Sequence, residues 1–209
     1  MNYAELVAAI QDYTENAFAT GDINTFIEEA EQRIYNAVQL PALRKNVTGN
    51  TSNGNKYLTC PSDWLATYSL AVIDNDGNYE YLLNKDVNFI RQAYPSPNDS
   101  GLPQYYAQFD QNTFILGPTP DDNYSVELHY FYYPESIVTA GTSWLGDNFD
   151  SALLYGALLE AYTYMKGEQD VMAVYKQRYD EAMQLLKQLG DGKNRRDAYR
   201  SGQVRYPVQ

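Results

Sequence analysis

Hydrophobic and polar positions follow a helical period at both ends of the chain and a strand period between them. In residues 1–41 and 147–189, apolar residues recur at spacings of three and four, which predicts helices. In residues 42–146, short apolar runs are separated by Gly, Pro, Asn and Asp, which predicts strands and turns. We therefore expect an α+β fold: N- and C-terminal helices form a helical bundle, an antiparallel β-rich region is inserted between them, and residues 190–209 form an extended C-terminal tail.

The two C-terminal helices differ in their apolar pattern. The first, expected to be capped by Asp147 or Asn148, carries two adjacent apolar rows, so we expect it to be buried on several sides. The second follows Gly167 and carries one apolar stripe opposite a polar face, which predicts a surface position. Gly190 stands where a C-terminal cap glycine is expected, so this helix is predicted to end there.

The N-terminal helices are marked by shorter patterns. An opening helix is predicted from the apolar spacing in residues 3–10. A second one is predicted to begin at a capping box formed by Thr25 and Glu28 and to stop at Pro41. Glu31 and Arg33 flank its apolar stripe and are interpreted as solvated charges.

The central region predicts hairpins. The run Asp74-Asn75-Asp76-Gly77-Asn78 is typical of a hairpin turn, and a second tight turn is predicted at residues 110–112. One or two helical turns are also predicted at residues 86–94. The predicted strands are residues 56–59, 68–73, 79–83, 105–109, 113–116 and, as the longest, 124–133.

Composition and charge exclude several classes of protein. No apolar run approaches the roughly 18 to 20 residues of a membrane span, and the first ten residues lack the pattern of a signal peptide, so we expect an unprocessed intracellular product with no membrane contact. Cys60 is the only cysteine, which excludes an internal disulfide and Cys-rich metal sites. The net charge of −12 argues against general nucleic-acid binding.

The charge is unevenly distributed along the chain. Residues 190–209 hold five basic and two acidic side chains, a net charge of +3, which leaves −15 for residues 1–189. The chain also holds 21 tyrosines, more than one core of this size accommodates, because each hydroxyl needs a partner or water. An acidic body with a basic, tyrosine-containing tail favours self-association or docking on an acidic partner. A disordered basic end is the alternative, and ordering on a partner is compatible with both.

Candidate catalytic and metal-binding residues are few. His129, the only histidine, lies in a predicted strand and is interpreted as structural, and Cys60 has no basic neighbour in sequence that would activate it. The Asp74–Gly77 run lacks the spacing of a calcium loop, and the adjacent Asp121 and Asp122 are typical of a solvated turn. Phosphate-binding glycine motifs are absent. We expect no catalytic site, no cofactor and no metal.

Several stretches, in this order, resemble the head-to-tail adaptor proteins of tailed bacteriophages. The likeness extends from about residue 22 to residue 189 and depends on the order of short motifs. These are Phe26-Ile27-Glu28-Glu29-Ala30-Glu31-Gln32-Arg33-Ile34, Leu58-Thr59-Cys60-Pro61-Ser62-Asp63-Trp64-Leu65, Gly101-Leu102-Pro103-Gln104-Tyr105-Tyr106, Gly117-Pro118-Thr119-Pro120, the strand end at Tyr130 to Pro134, Trp144-Leu145 and Leu153-Leu154-Tyr155-Gly156-Ala157-Leu158-Leu159-Glu160-Ala161.

The resemblance implies a structural virion protein without catalysis. Such proteins form a ring, usually dodecameric, between the capsid portal protein and a tail protein of the nozzle or tube, and DNA passes through the channel without specific binding. The helical bundle would build the ring, the sheet region would face the tail, and the C-terminal tail would reach the portal. We expect the protein in the neck of the virion, after synthesis in the host cytoplasm. The predicted portal-binding residues are Arg195, Arg196, Tyr199, Arg200, Arg205 and Tyr206.

Two other classes remain as alternatives. A carbohydrate-binding or receptor-recognition tail module would account for the aromatic residues of the predicted sheet. A small hydrolase would need a base, for which His129 and the Asp121-Asp122 pair are the candidates.

Overall fold

The protein has an α+β fold, as predicted from its two hydrophobic periods. The computed structural model describes residues 1–96 and 98–194. The described residues divide into two compact units: a helical unit of residues 1–43 and 133–194, and a sheet unit of residues 44–132. The helices described are α1 (Tyr3–Thr14), α2 (Thr20–Ala37), a 3-10 turn (Pro41–Leu43), α3 (Val87–Ala93), α4 (Ile137–Ala140), α5 (Trp144–Asn148), α6 (Asp150–Met165) and α7 (Gln169–Asn194).

Helix α6 lies at the centre of the helical unit, in contact with α1, α2 and α7. Its two apolar rows bury Leu153, Ala157 and Leu158 completely, which confirms the expectation that this helix is covered on several sides. Gly156 permits close approach of its neighbours, because a Cβ there would lie 3.1 Å from the Cβ of Ala30. Burial of this apolar surface is the main stabilising contribution in the unit.

Several predicted helix boundaries are wrong. Helix α2 begins at Thr20 with Ala19 as its N-cap, and the Thr25 hydroxyl donates to the Gly21 carbonyl one turn back instead of starting a helix. Asp147 and Asn148 belong to the separate helix α5, so they do not cap α6. Within residues 42–146, which were assigned to the β-rich region, lie the short helix α4 and the start of α5. The short helices α4 and α5 begin at Ser136 and Ser143, whose side chains accept hydrogen bonds from the first turns, whereas α2 begins without a side-chain cap.

The predicted end of α7 at Gly190 is also wrong, because the helix continues through Gly190 to Asn194. Gly190 is buried, and a Cβ at this position would lie 2.9 Å from the carbonyl oxygen of Gln39. The glycine therefore allows the helix to approach the backbone after α2, instead of ending the helix in a left-handed turn.

The sheet unit consists of two four-stranded sheets around one core. Sheet A has the strand order β1-β8-β3-β4 and sheet B the order β2-β7-β6-β5. Side chains from both sheets, among them Leu70, Phe114 and Leu128, form a buried cluster. The strands are β1 (Arg44–Asn50), β2 (Tyr57–Thr59), β3 (Ala66–Ile73), β4 (Tyr79–Tyr81), β5 (Leu83–Asn84), β6 (Tyr105–Asp110), β7 (Thr113–Gly117) and β8 (Ser125–Phe131).

Both predicted hairpins are confirmed as the antiparallel pairs β3–β4 and β6–β7, and the helical turns before residue 95 are confirmed as α3. The expectation of a purely antiparallel region is wrong, because β5 pairs with β6 in parallel. Strand β1 was not predicted, since its sequence is almost entirely polar and shows no alternation around Val47. Strand β3, with eight residues, is longer than β8, with seven.

Candidate functional site

The six residues predicted to bind a portal lie outside the described residues. They are Arg195, Arg196, Tyr199, Arg200, Arg205 and Tyr206. The described residues end with helix α7, whose last residue is Asn194. Helix α7 packs on α6.

The solvent-facing side of α7 carries paired charges. Lys176 contacts Asp180 at 2.8 Å, and Arg178 contacts Glu181 at 3.5 Å. All four side chains are more than half exposed, so each pair contributes little to stability. This surface is a solvated face whose charges can be changed without loss of the fold.

The outward side of sheet A carries two groups of aromatic rings, here together named the aromatic face: Tyr68 with His129 and Phe131, and Tyr79 with Tyr81. The Arg44 guanidinium carbon lies 4.2 Å from the ring centroid of Tyr68 and 5.3 Å from that of Phe131. Tyr79 and Tyr81 stack with 6.4 Å between centroids and are 49% and 61% exposed. Exposed, mutually packed aromatic side chains are typical of contact surfaces.

The candidate catalytic groups have structural roles. The His129 ring packs edge-on against Tyr68 at 4.9 Å, in the middle of β8. Asp121 accepts a hydrogen bond of 2.6 Å from the Tyr124 hydroxyl, and Asp122 accepts one of 3.1 Å from the Asn75 amide. The backbone N–H of Asn123, together with that amide, lowers the pKa of Asp122. Both carboxylates are exposed, as expected for a solvated turn, and each also accepts a hydrogen bond from a nearby side chain.

The Asp74–Gly77 loop is the predicted hairpin turn. One Asp74 oxygen accepts hydrogen bonds from the backbone N–H groups of Asp76 and Asn78, at 2.9 and 2.8 Å. The hydrogen bond from the Asn78 side chain, together with these backbone bonds, lowers the pKa of Asp74. Across residues 1–96 and 98–194, no group of three or more His, Cys, Asp or Glu side chains is arranged to hold a metal ion. Within the same residues, no helix has the length and apolar character needed to cross a membrane.

An apolar cleft of about 320 Å³, here named the edge cleft, is lined by residues of β1 and β2. Its walls are Val47 and Leu58 from these two strands, with Phe114 and Leu128 from the core behind them. Cys60 also lines the cleft, and burial raises the pKa of its thiol to about 11. The thiol is thus protonated near neutral pH, as expected for a residue that is not a nucleophile. Sequence reasoning missed the cleft because it depends on which strands lie at the sheet edges.

Glu31 was interpreted as a solvated charge, and this is wrong: only 3% of the residue is exposed. Its carboxylate accepts a hydrogen bond of 3.0 Å from the backbone N–H of Ile137, the first residue of α4. Burial raises the pKa of Glu31, and hydrogen bonds from Ser136 and Ile137 offset part of that rise. The spacing of Ile27, Glu31 and Ile34 places the glutamate on the apolar stripe and is the signal that could have predicted its burial. Arg33 is exposed and pairs with Glu160, consistent with the prediction for that residue.

The sequence was also compared with known protein families and with curated proteins. Residues 1–206 match a protein-family model described as "SU10 adaptor protein". A comparison with curated proteins finds no match.

Proposed function

Because the chain belongs to the SU10 adaptor protein family, to which nearly its whole length matches, we propose that it is a ring-forming adaptor in the neck of a bacteriophage. Membership in this family supports a structural, non-enzymatic role as a phage virion component and confirms the resemblance found in the sequence. The further proposal is that copies of the chain form a ring, dodecameric in related adaptors, between the portal and a nozzle or tube protein of the tail. The protein is made in the host cytoplasm and assembles there.

In this proposal the two units and the tail have separate roles. The helices of residues 1–41 and 147–189 form the bundle that builds the ring, the β-rich region of residues 42–146 faces the tail component, and the chain beyond residue 190 reaches the portal. The extension of α7 to Asn194 supports this division, because an ordered helix leads directly into the basic segment. In the portal contact, the arginines of that segment pair with acidic groups and its tyrosines fill clefts.

The acidic body supports passage of DNA through such a ring. Residues 1–189 carry a net charge of −15, and carboxylates on a channel wall would repel phosphates and prevent the DNA from sticking. Neutralising the carboxylates that line the channel should therefore slow DNA ejection and increase DNA retention. Unchanged ejection would contradict this role.

The observation that carries the proposal is the family match over residues 1–206, and the experiment that tests it is portal decoration. A chain ending at residue 194 keeps all of α7 and should fold, as judged by circular dichroism, but should not decorate purified portals in electron micrographs. Truncation at residue 194, instead of at 190, avoids cutting the helix where Gly190 packs against Gln39.

A charge-matched pair of full-length variants separates the tail from general electrostatics. Reversing Arg195, Arg196 and Arg200 to Glu should abolish decoration. The control reverses three basic residues to Glu on the exposed side of α7, which are Lys176, Arg178 and Lys187, and should leave decoration intact. If the tail variants still decorate portals as the unmodified protein does, the proposed role of the six tail residues is wrong.

The aromatic face favours a second candidate function, a carbohydrate-binding or receptor-recognition tail module. Tyr68 and Tyr81 are 53% and 61% exposed, and sugar rings stack on aromatic faces of this kind. This function predicts that oligosaccharides raise the melting temperature, and that Tyr81→Ala removes the effect. An adaptor without sugar binding predicts no change.

A further inference from the structure

Another cavity of the sheet unit, here named the sheet cavity, has a volume of about 240 Å³ and lies between the start of β3 and the inward side of sheet B. It is a different site from the edge cleft, with which it shares Phe114, and from the aromatic face on the outward side of sheet A. The residues that characterise it are Trp64, Thr67, Asn84, Tyr106, Gln108 and Phe114.

The strand register places four of these residues on one side of sheet B. Tyr106 and Gln108 are two residues apart on β6, so their side chains share a side of the sheet. Asn84 lies beside Tyr106, and Phe114 lies opposite Gln108. This is the inward side, because Tyr106 and Phe114 belong to the buried cluster between the sheets. Gln108 is nevertheless exposed, so the core ends here and leaves the cavity open.

The other wall of the cavity is the turn before β3, which is fixed to sheet A. The Leu65 N–H donates a hydrogen bond of 2.9 Å to the Phe131 carbonyl. The indole N–H of Trp64 donates one of 3.2 Å to the Thr67 hydroxyl, and the indole ring packs edge-on against Phe114 with 5.4 Å between centroids. These contacts fix the position of Trp64, so this wall is preformed and needs little ordering when a ligand binds.

Three polar side chains of the sheet cavity lack a protein partner. Within residues 1–96 and 98–194, the Tyr106 hydroxyl and the side-chain amides of Asn84 and Gln108 make no hydrogen bond. Tyr106 is only 6% exposed, yet its hydroxyl is not sealed from solvent. A tyrosine buried to this degree normally has a partner for its hydroxyl. The hydroxyl is therefore available to a ligand that enters the cavity.

The lining of the cavity carries no charge among the described residues. The charged residues next to the lining in sequence are engaged elsewhere. The Asp63 carboxylate accepts hydrogen bonds from Lys45 at 2.7 Å and from the Tyr130 hydroxyl at 2.8 Å, and the Lys85 ammonium lies 5.4 Å from the ring centroid of Phe89. The cavity therefore suits an uncharged ligand. Its amides and hydroxyl both donate and accept hydrogen bonds, as the hydroxyl groups of a sugar also do.

We propose that the sheet cavity binds one unit of a neutral sugar. The half-buried ring of Trp64 contacts the apolar face of the sugar, and Asn84, Tyr106 and Gln108 exchange hydrogen bonds with its hydroxyl groups. At about 240 Å³ the cavity is smaller than the roughly 300 to 1,000 Å³ of sites for drug-sized ligands, so it accommodates a single sugar ring. This binding goes beyond the proposed function and needs neither a ring of subunits nor a portal. Failure of portal decoration and failure of sugar binding are therefore separate results.

The test uses the full-length protein and the indole N–H signals of its two tryptophans in nuclear magnetic resonance spectra. Trp64 lines the cavity, and Trp144 lies in the helical unit and serves as the internal reference. The probes are the methyl glycosides of D-glucose, D-galactose and D-mannose, and N-acetyl-D-glucosamine. At least one probe should shift the Trp64 signal and leave the Trp144 signal in place. Half-saturation is expected at about 1 to 20 mM, because a single sugar ring offers few atoms for contact.

Single-residue variants locate the binding site. Tyr106→Phe removes only the free hydroxyl and should weaken binding of that probe about three- to tenfold. The matched control is Tyr105→Phe, which makes the same change on the other side of sheet B, where Tyr105 packs beside α3, and should leave binding unchanged. Gln108→Ala, at an exposed residue outside the core, should weaken binding by a similar factor without disturbing the fold.

Three results would overturn the inference. The first is a Trp64 signal that none of the four probes shifts at concentrations up to about 100 mM, well above the expected half-saturation. The second is equal binding by the unmodified protein, Tyr106→Phe and Gln108→Ala. The third is binding that Tyr81→Ala removes and Tyr106→Phe retains, which would place the sugar on the aromatic face and not in the sheet cavity.

Discussion

The buried Glu31 carboxylate provides a sharp test of how the helical unit is held together. Glu31→Ala removes the acceptor of the Ile137 N–H at the start of α4, so a buried donor loses its partner. Loss of a hydrogen bond to a charged acceptor, with the donor left unsatisfied, costs about 1 to 3 kcal/mol of the free energy of unfolding. Glu31→Gln keeps a carbonyl acceptor of similar shape and removes only the ionisable group. The Gln variant should therefore be the more stable of the two at pH 7.

The pH dependence distinguishes desolvation from hydrogen bonding. Burial raises the pKa of Glu31 in the folded state above its ordinary value of 4.5, so the folded protein holds the proton more tightly than the unfolded chain. As the pH rises from 4.5 through the folded pKa, the stability of the unmodified protein should fall relative to Glu31→Gln. In this pH window the stability difference between the two proteins changes by at most about 1.4 kcal/mol per pH unit, and above the folded pKa it becomes constant.

The measurement is urea unfolding followed by far-ultraviolet circular dichroism between pH 4.5 and 7.5. The unmodified protein, Glu31→Gln and Glu31→Ala are compared at each pH, so that contributions from other titrating groups cancel. Glu29→Gln, an exposed position on the same helix, is the control and should show no comparable pH dependence. If the stability difference between the unmodified protein and Glu31→Gln is independent of pH, or grows in favour of the unmodified protein as pH rises, the desolvation argument is refuted.

The remaining predictions concern packing and the connection beside the edge cleft. Leu154→Asp should lower the free energy of unfolding, measured in urea, by at least about 3 kcal/mol, because the residue is only 7% exposed. The control is Leu185→Asp, which should change it by less than about 0.5 kcal/mol, because Leu185 is 60% exposed. Gly190→Val should lower the free energy of unfolding by about 1 to 3 kcal/mol, since the added side chain would meet the Gln39 carbonyl. The control is Gly21→Ala, which should leave thermal stability unchanged or raise it, because no atom lies within 4 Å of the added Cβ. Thr51→Val should lower the free energy of unfolding by about 1 to 3 kcal/mol, because the hydrogen bonds of the Thr51 hydroxyl to Asp122 and Tyr124, just before β8, are lost. Amide exchange in β1 should become faster, and an unchanged exchange rate would contradict a stabilising role for these hydrogen bonds.

The sequence by itself determined the class of fold and the kinds of element along the chain. The 3.6-residue period identified α6 as a buried helix, and the turn residues at 74–78 identified the β3–β4 hairpin, because both signals report local geometry that a side chain imposes on its own element. The charge contrast between the body and the basic tail, and the family of the chain, were also readable from residues alone.

Only the tertiary structure decided the features that depend on distant neighbours. Gly190 has the same local signature whether it ends a helix or lets it approach another backbone, and the carbonyl of Gln39 selects the second role. Glu31 became a buried acceptor because the start of α4, about a hundred residues later, supplies an N–H group for it. The edge cleft likewise exists because β1 and β2 both fall at sheet edges, and strand order is a consequence of long-range pairing that no local period encodes.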